Sequence, residues 1–175
     1  MPLNGENSLM EHDALNRVYL RHAYECALDS DDPNTQVGAI LVHDEMGIVS
    51  TGANKICDRI PVHEKLLEYP LKANYMEHAE RNAIYLAAQR GASTRGLTMY
   101  CPWFSCVGCA RAIIQAGIVR VVGHKTLYDI TPKRWLKEIE VGHQLLREAG
   151  VKTDIWSGEI GSGLTIRFNG KDISP

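Results

Sequence analysis

The sequence predicts one α/β domain, a three-layer α/β/α sandwich around a mixed five-stranded central sheet. Three observations predict it. A nearly continuous apolar run at 37–42 is followed, across the acidic and glycine-containing turn at 44–47, by a second strand-like segment at 48–52, as in an antiparallel hairpin. Three more strand-like segments, 97–101, 118–122 and 151–156, are separated by helical stretches, the pattern of parallel strands with helices on both faces. At 175 residues and 45% apolar composition, the chain is long enough to bury one full core.

The elements follow in order. Residues 1–10 read as a loose lead-in. From Glu11 to Leu28, the apolar positions Leu15, Val18, Tyr19, Ala23, Cys26 and Leu28 roughly follow a helical period, and Cys26 reads as core packing. Asp29, Ser30, Asp31, Asp32 and Pro33 then break the helix. After the hairpin, residues 55–77 form a long connection without a clear period. Connections of this length in a compact domain are often functional, and this one is expected to wall a binding site. It carries Cys57 and His63, two residues that could begin a second, structural metal site but do not complete one. Residues 78–90 and 106–116 are helical stretches, each stopped by a glycine, Gly91 and Gly117. Thr131-Pro132 opens another helix, with Trp135, Leu136, Ile139, Leu145 and Leu146 as its buried side and Gly150 as its stop. A possible strand, 164–168, lies in a C-terminal extension spanning 157–175.

Composition limits the function. The net charge is −2 and no lysine or arginine cluster is present, so the basic footprint of a nucleic-acid binder is missing and a small substrate is expected. No run approaches the length of a membrane span. Residues 1–7 have neither the basic start nor the apolar core of a signal peptide, and five cysteines is an odd number, so a cytoplasmic location is expected.

The chemistry concentrates in two short stretches. His78, with Glu80 two places later and the pair Cys106 and Cys109 downstream, has the spacing that marks zinc-dependent deaminases. Zinc favours tetrahedral imidazole and thiolate ligands, and a catalytic zinc keeps one position open for water. Cys106 and Cys109, three apart, share a helix face. His78 and Glu80 would diverge in a helix interior but can border one pocket from a first turn. Helix N-termini favour thiolate at both cysteines. Two thiolates cancel the formal charge of the metal, so a carboxylate must take the proton of the attacking water; Glu80 is placed for that work. Taken singly, these pieces have ordinary readings: a solvated helix start for His78-Ala79-Glu80, and a structural half-site, a redox pair or core packing for the cysteines. Their joint occurrence, in this order and with each opening a helix, favours the zinc site.

Three stretches carry a family likeness: Asp32-Pro33-Asn34-Thr35-Gln36-Val37-Gly38-Ala39, His78 to Ile84, and Cys106 to Ile118. Over roughly residues 12–130 the chain resembles the deoxycytidylate (dCMP) deaminases within the cytidine deaminase-like superfamily. The resemblance implies the cytidine deaminase type of sandwich and a single zinc-dependent deaminase domain over residues 1–175. It implies Zn2+ held by His78, Cys106 and Cys109, with Glu80 as catalytic proton shuttle. It also implies a pyrimidine hydrogen-bonded by the backbone around Ala79, a sugar contact from Asn54, and Tyr128 near the substrate phosphate. The implied reaction is hydrolytic deamination of dCMP to dUMP and ammonia, by a cytoplasmic homo-oligomer, a dimer or a hexamer built from dimers. Alternatives are a zinc deaminase of another aminated base, nucleoside or modified nucleotide, with purine or transfer-RNA substrates disfavoured, and a non-catalytic zinc-binding member of the fold. Two positions depart from the family. Ser105 stands where proline usually precedes the first zinc cysteine, beside a Pro102-Trp103 rim. The glycine-tyrosine-asparagine-glycine turn of regulated members reads Gly52-Ala53-Asn54-Lys55, so regulation by dCTP and dTTP does not follow from the likeness.

Overall fold

The computed structural model describes residues 4–175, with side chains from His12 onward. Helix α1 spans Asn4–Ala27. Strands β1 (Gly38–His43) and β2 (Gly47–Ala53) form the expected antiparallel hairpin. The main sheet continues with β5 (Thr98–Tyr100), β6 (Arg120–His124) and β7 (Lys152–Trp156), in the order β2-β1-β5-β6-β7. β1 pairs antiparallel with β5, and β5–β6 and β6–β7 pair in parallel, so the sheet is mixed and five-stranded as predicted. Among the described residues, no helix is long and apolar enough to cross a membrane.

Period-two alternation divides the core into two layers. Ala39, Leu41, Met99 and Val121 face α3 (Ala79–Gln89), α4 (Val107–Gln115) and α6 (Lys133–Glu148). Ile40, Val42, Tyr100 and Val122 face α1, α5 (Lys125–Asp129) and the segment around Ile160, Leu164 and Ile166. Each fully buried aliphatic side chain contributes roughly 1.5–3 kcal/mol over its exposed state. Gly52 permits the closest helix–sheet contact at the site: a Cβ there would lie 2.4 Å from the Ala79 carbonyl of α3.

Several expectations are corrected. The lead-in is helical from Asn4, since no proline interrupts residues 4–27; residues 1–3 lie outside the described residues. The buried stripe of α1 is Leu20, Ala23, Tyr24 and Ala27, while Leu15, Val18 and Leu28 are exposed. Ala23 and Ala27 are small where α1 crosses the backbone at Gly38, at which a Cβ would lie 2.0 Å from the Ala23 carbonyl, while Leu20 and Tyr24 fill the rest of that face. Leu136 of α6 is likewise exposed; Ile139, Gly142 and Leu146 face inward. The connection 55–77 is not structureless. It holds the short pair β3 (Lys55–Ile56) and β4 (Met76–Glu77), a 3-10 turn at Glu64–Leu67 and helix α2 (Leu71–Tyr75).

The C-terminal segment is part of the core. Strands β8 (Ile166–Phe168) and β9 (Lys171–Ile173) form a hairpin through Asn169 and Gly170, both at positive φ. Asn-Gly between strands is the strongest short hairpin signal, and it was available in the sequence for β9. Tyr24 and His124 fasten this side. The Tyr24 hydroxyl lies 2.8 Å from His124 Nδ1, and Nε2 lies 3.0 Å from the Gly158 carbonyl. A carbonyl only accepts, so Nε2 carries the proton and Nδ1 accepts from the tyrosine.

Candidate active site

Two helix starts build the site. His78 is the residue immediately before α3 and Cys106 the residue immediately before α4, both in extended backbone, with Cys109 one turn into α4. Extended geometry at these positions turns both side chains back over their helix ends. His78 Nδ1 lies 3.6 Å from Cys106 Sγ and 3.4 Å from Cys109 Sγ, and the three ligand atoms fall within 4.8 Å of one another. A tetrahedral ion with nitrogen at about 2.0–2.1 Å and sulfur at about 2.3 Å requires nitrogen–sulfur separations of about 3.6 Å. The donor set and its spacing therefore fit zinc. Among the described residues this is the sole group of three metal-binding side chains within such reach. Cys57 and His63 do not contribute to one: both are exposed, and the Cys57 thiol points to the Tyr75 carbonyl.

The surroundings favour a thiolate at Cys106, with Cys109 as the thiol that donates to it. Cys106 is lowered to about 3, chiefly because the Cys109 thiol donates to it and also because His78 does, while Cys109 is raised by holding that shared proton. The same Cys106 contact raises His78. Arg81 lies one turn into α3. Its guanidinium pairs with Glu77, and a Cβ at Gly108 would lie 2.7 Å from its Nη1, so a positive charge stands over the cysteine helix. Glu77 Oε1 also accepts from the His78 backbone N–H at 2.8 Å, fixing the turn that carries the histidine. Glu77 and Arg81 were readable as an i,i+4 pair.

Glu80 is 4% exposed, and burial raises its pKa. Ser105, the residue in the usual proline position, is fully buried. Its hydroxyl has no hydrogen bond of good geometry, but it lies near enough to the Glu80 carboxylate to lower that group's pKa against the effect of burial. Helix α6 closes over this loop at Gly142, where a Cβ would lie 2.4 Å from the Ser105 carbonyl.

His78, Ala79, Glu80 and Cys106 line a cavity of about 910 Å³. One wall is the loop before β1. There Asp32 Oδ1 accepts from the N–H groups of Asn34 and Thr35 at 2.8 and 3.1 Å, and Lys72 of α2 pairs with Asp32 Oδ2 at 2.6 Å. The connection 55–77 thus walls the cavity, through Leu67, Tyr69, Lys72 and Met76. A second wall is aromatic. Trp103 and Trp135 meet edge to face at 5.7 Å, and Trp135 stands edge-on to His78 at 6.4 Å. Arg134 and Glu138 of α6 also reach the cavity. Neither α6 residue had a motif to reveal it.

Two residues carried over from the family likeness sit differently. Asn54 lines the cavity, but its amide is largely occupied: Oδ1 accepts from the Val37 N–H and the Ser30 hydroxyl, each at 2.7 Å, and Nδ2 donates to the Thr35 carbonyl at 2.7 Å. One amide hydrogen remains for a ligand. Tyr128 lies on α5 outside the cavity lining, edge to face at 5.7 Å with Phe104, which does line it. The short helix after β6 turns it outward, to 39% exposure.

Comparison with known proteins identifies this arrangement. Residues 14–125 match the cytidine and deoxycytidylate deaminase zinc-binding region. Human deoxycytidylate deaminase is 37% identical over 110 residues, 59% of this chain and 61% of the human protein. This chain therefore spans under two-thirds of that relative. An uncharacterized deaminase in the luxG 3′ region of Aliivibrio fischeri is 35% identical over 127 residues, 70% of this chain and 80% of the relative. The dCMP deaminase of the cyanophage S-TIM5, solved with dCMP and dUMP, superposes with a TM-score of 0.63 at 23% identity, covering 81% of this chain and 97% of that one; at this identity the match concerns the fold. With the zinc-binding region covering most of its length, the chain belongs to the cytidine and deoxycytidylate deaminase family.

Proposed function

We propose that the protein is a zinc-dependent hydrolase that deaminates a cytosine nucleotide, converting dCMP to dUMP and ammonia. The observation that carries the reading is the buried Glu80 carboxylate on the cavity wall beside His78, Cys106 and Cys109. The name of the human relative, deoxycytidylate deaminase, supports dCMP as substrate.

His78, Cys106 and Cys109 would hold the zinc, which supplies Lewis-acid activation of water. Glu80 accepts the proton of the attacking water and passes it to the ring nitrogen; it then takes the proton of the new hydroxyl on the ring carbon and delivers it to the amino group, so that the carbon–nitrogen bond breaks, the carbonyl forms and ammonia leaves. Burial suits it to that exchange, because raising the pKa of a carboxylate makes it a stronger base toward the attacking water. In this reading the Ala79 backbone at the start of α3 and the remaining Asn54 amide hydrogen orient the base and the sugar. Trp103 and Trp135 exclude water from one side of the ring.

A second reading, deamination of a larger aminated ring, is favoured by the size of the cavity alone. Ammonia release from dCMP, CMP, deoxycytidine, 5-methyl-dCMP, dAMP and guanine separates the two. Preference for dCMP is expected; release from a purine alone would replace the first reading with the second. We also propose a cytoplasmic homo-oligomer. Exposed apolar side chains such as Tyr85, Leu136 and Val141 support association, and light scattering that returns a monomer mass at working concentration would refute it.

A further inference from the structure

The C-terminal hairpin lies beyond the family region, which ends at residue 125, yet it touches three parts of the cavity wall. Its first strand docks on the loop before β1. The Gln36 N–H donates to the Arg167 carbonyl at 2.7 Å, and the Gly170 N–H donates to the Asn34 carbonyl at 2.9 Å. Phe168, 2% exposed, packs edge to face on Trp103 at 4.9 Å. At the tip, Asn169 Oδ1 accepts from Arg134 Nη2 at 3.0 Å.

That last contact matters because of what else is charged there. The cavity wall carries two cationic side chains, Lys72 and Arg134. Lys72 is neutralised by Asp32 at 2.6 Å. Arg134 is in no ion pair among the described residues, and its partner Asn169 is uncharged. A guanidinium has five N–H donors in a fixed fork, and one spent on Asn169 leaves enough for bidentate capture of an anion. Glu138, one turn along α6 on the same wall, disfavours an anion on its own side and so directs one toward Arg134. Asn169 holds a left-handed backbone, φ 51°, which the Asn-Gly turn accommodates and most residues would not.

We infer that Arg134, aimed by the Asn169–Gly170 turn, takes the phosphate monoester of the substrate, and that the C-terminal hairpin is thereby a specificity element of the site. The inference rests on the deaminase reading for its reaction, though not for its binding step. Asn169 is a positioning residue; Arg134 is the contact.

The test uses the zinc-loaded full chain and two variants, Arg134→Met and Asn169→Gly; the second keeps the left-handed turn while deleting the amide. Steady-state rates with dCMP and with deoxycytidine give the preference for the nucleotide. Tryptophan fluorescence, from Trp103 and Trp135 in the cavity wall, gives equilibrium binding of dUMP and of deoxyuridine without any turnover. Arg134→Met is expected to cut the preference for dCMP, and the tighter binding of dUMP, by roughly 10-fold or more, the usual worth of a hydrogen bond to a charged group. The loss should fall in KM and not in kcat. Asn169→Gly should move both readouts in the same direction by a smaller factor, and the double variant should add nothing to Arg134→Met. Equal losses for nucleotide and nucleoside, or no loss, would overturn the inference. So would a wild-type protein that binds dUMP no tighter than deoxyuridine. Absence of turnover with dUMP binding still dependent on Arg134 would sink the deaminase reading and leave the phosphate site standing.

Discussion

Glu80 and Ser105 show how much of the chemistry resides in single side chains. A carboxylate raised by burial is a stability cost. The folded protein then binds more protons than the unfolded chain at pH values above the ordinary glutamate range, so stability falls as pH rises through that window. Glu80→Gln should therefore melt no lower than wild type in the zinc-free state at pH 7, while retaining zinc and losing at least ~10²-fold in kcat. A variant that retains turnover would remove Glu80 from the mechanism. Cys106→Ala should lose zinc together with activity, measured by metal content after dialysis; full occupancy would overturn the ligand assignment. At this scale the sequence was highly legible, because each half of the site is a local helix start. His78 and Glu80 share a first turn, and Cys106 and Cys109 are three apart. Arg134 was not legible: it reaches the cavity only because α6 folds back over the cysteine loop, which no local spacing encodes.

Among the elements, α6 has the largest bearing on the site without contributing a ligand. Gly142 lets it rest on the backbone of Ser105 and Cys106. Gly142→Val should force the helix away, lowering Tm and weakening zinc retention in competition with a chelator; unchanged retention would show that the cysteine loop holds its shape unaided. In the core, Leu41→Ala on β1 should cost roughly 2–5 kcal/mol in denaturant unfolding without altering the Zn2+ stoichiometry. The five strands of the main sheet were readable within a residue or two, since apolar runs bounded by turns do not depend on distant partners. The connection 55–77 was readable only as long and without period. Its order comes from tertiary contacts: the Lys55–Glu77 and Ile56–Met76 pairings and the Lys72–Asp32 ion pair. The buried stripe of α1 was only partly readable: Ala23 was expected there, but Leu20, Tyr24 and Ala27 complete it, and Leu15, Val18 and Leu28 are exposed.

Across the whole molecule, the first and last segments are locked to the sheet through one neutral histidine. Burial lowers His124 below its ordinary 6.5. The unfolded chain therefore takes up a proton first as pH falls, and the stability held above pH 6.5 is lost below it. The Tm difference between wild type and His124→Gln should accordingly shrink as pH falls from 7.5 to 5.5; a constant difference would mean that His124 does not titrate on unfolding. The C-terminal residues, expected as an extension, belong to the core through Ile160, Leu164, Ile166 and Phe168 and to the cavity through the hairpin tip. The sandwich, the His78-Cys106-Cys109 group and the buried Glu80 thus follow from local pattern, and the walls of the cavity follow from long-range packing. The measurement that tests the central claim most directly is ammonia release by the zinc-loaded protein offered dCMP. Formation of dUMP with one ammonia per turnover, abolished in Glu80→Gln, is the predicted result. Zinc bound at one equivalent with no ammonia from dCMP would contradict it.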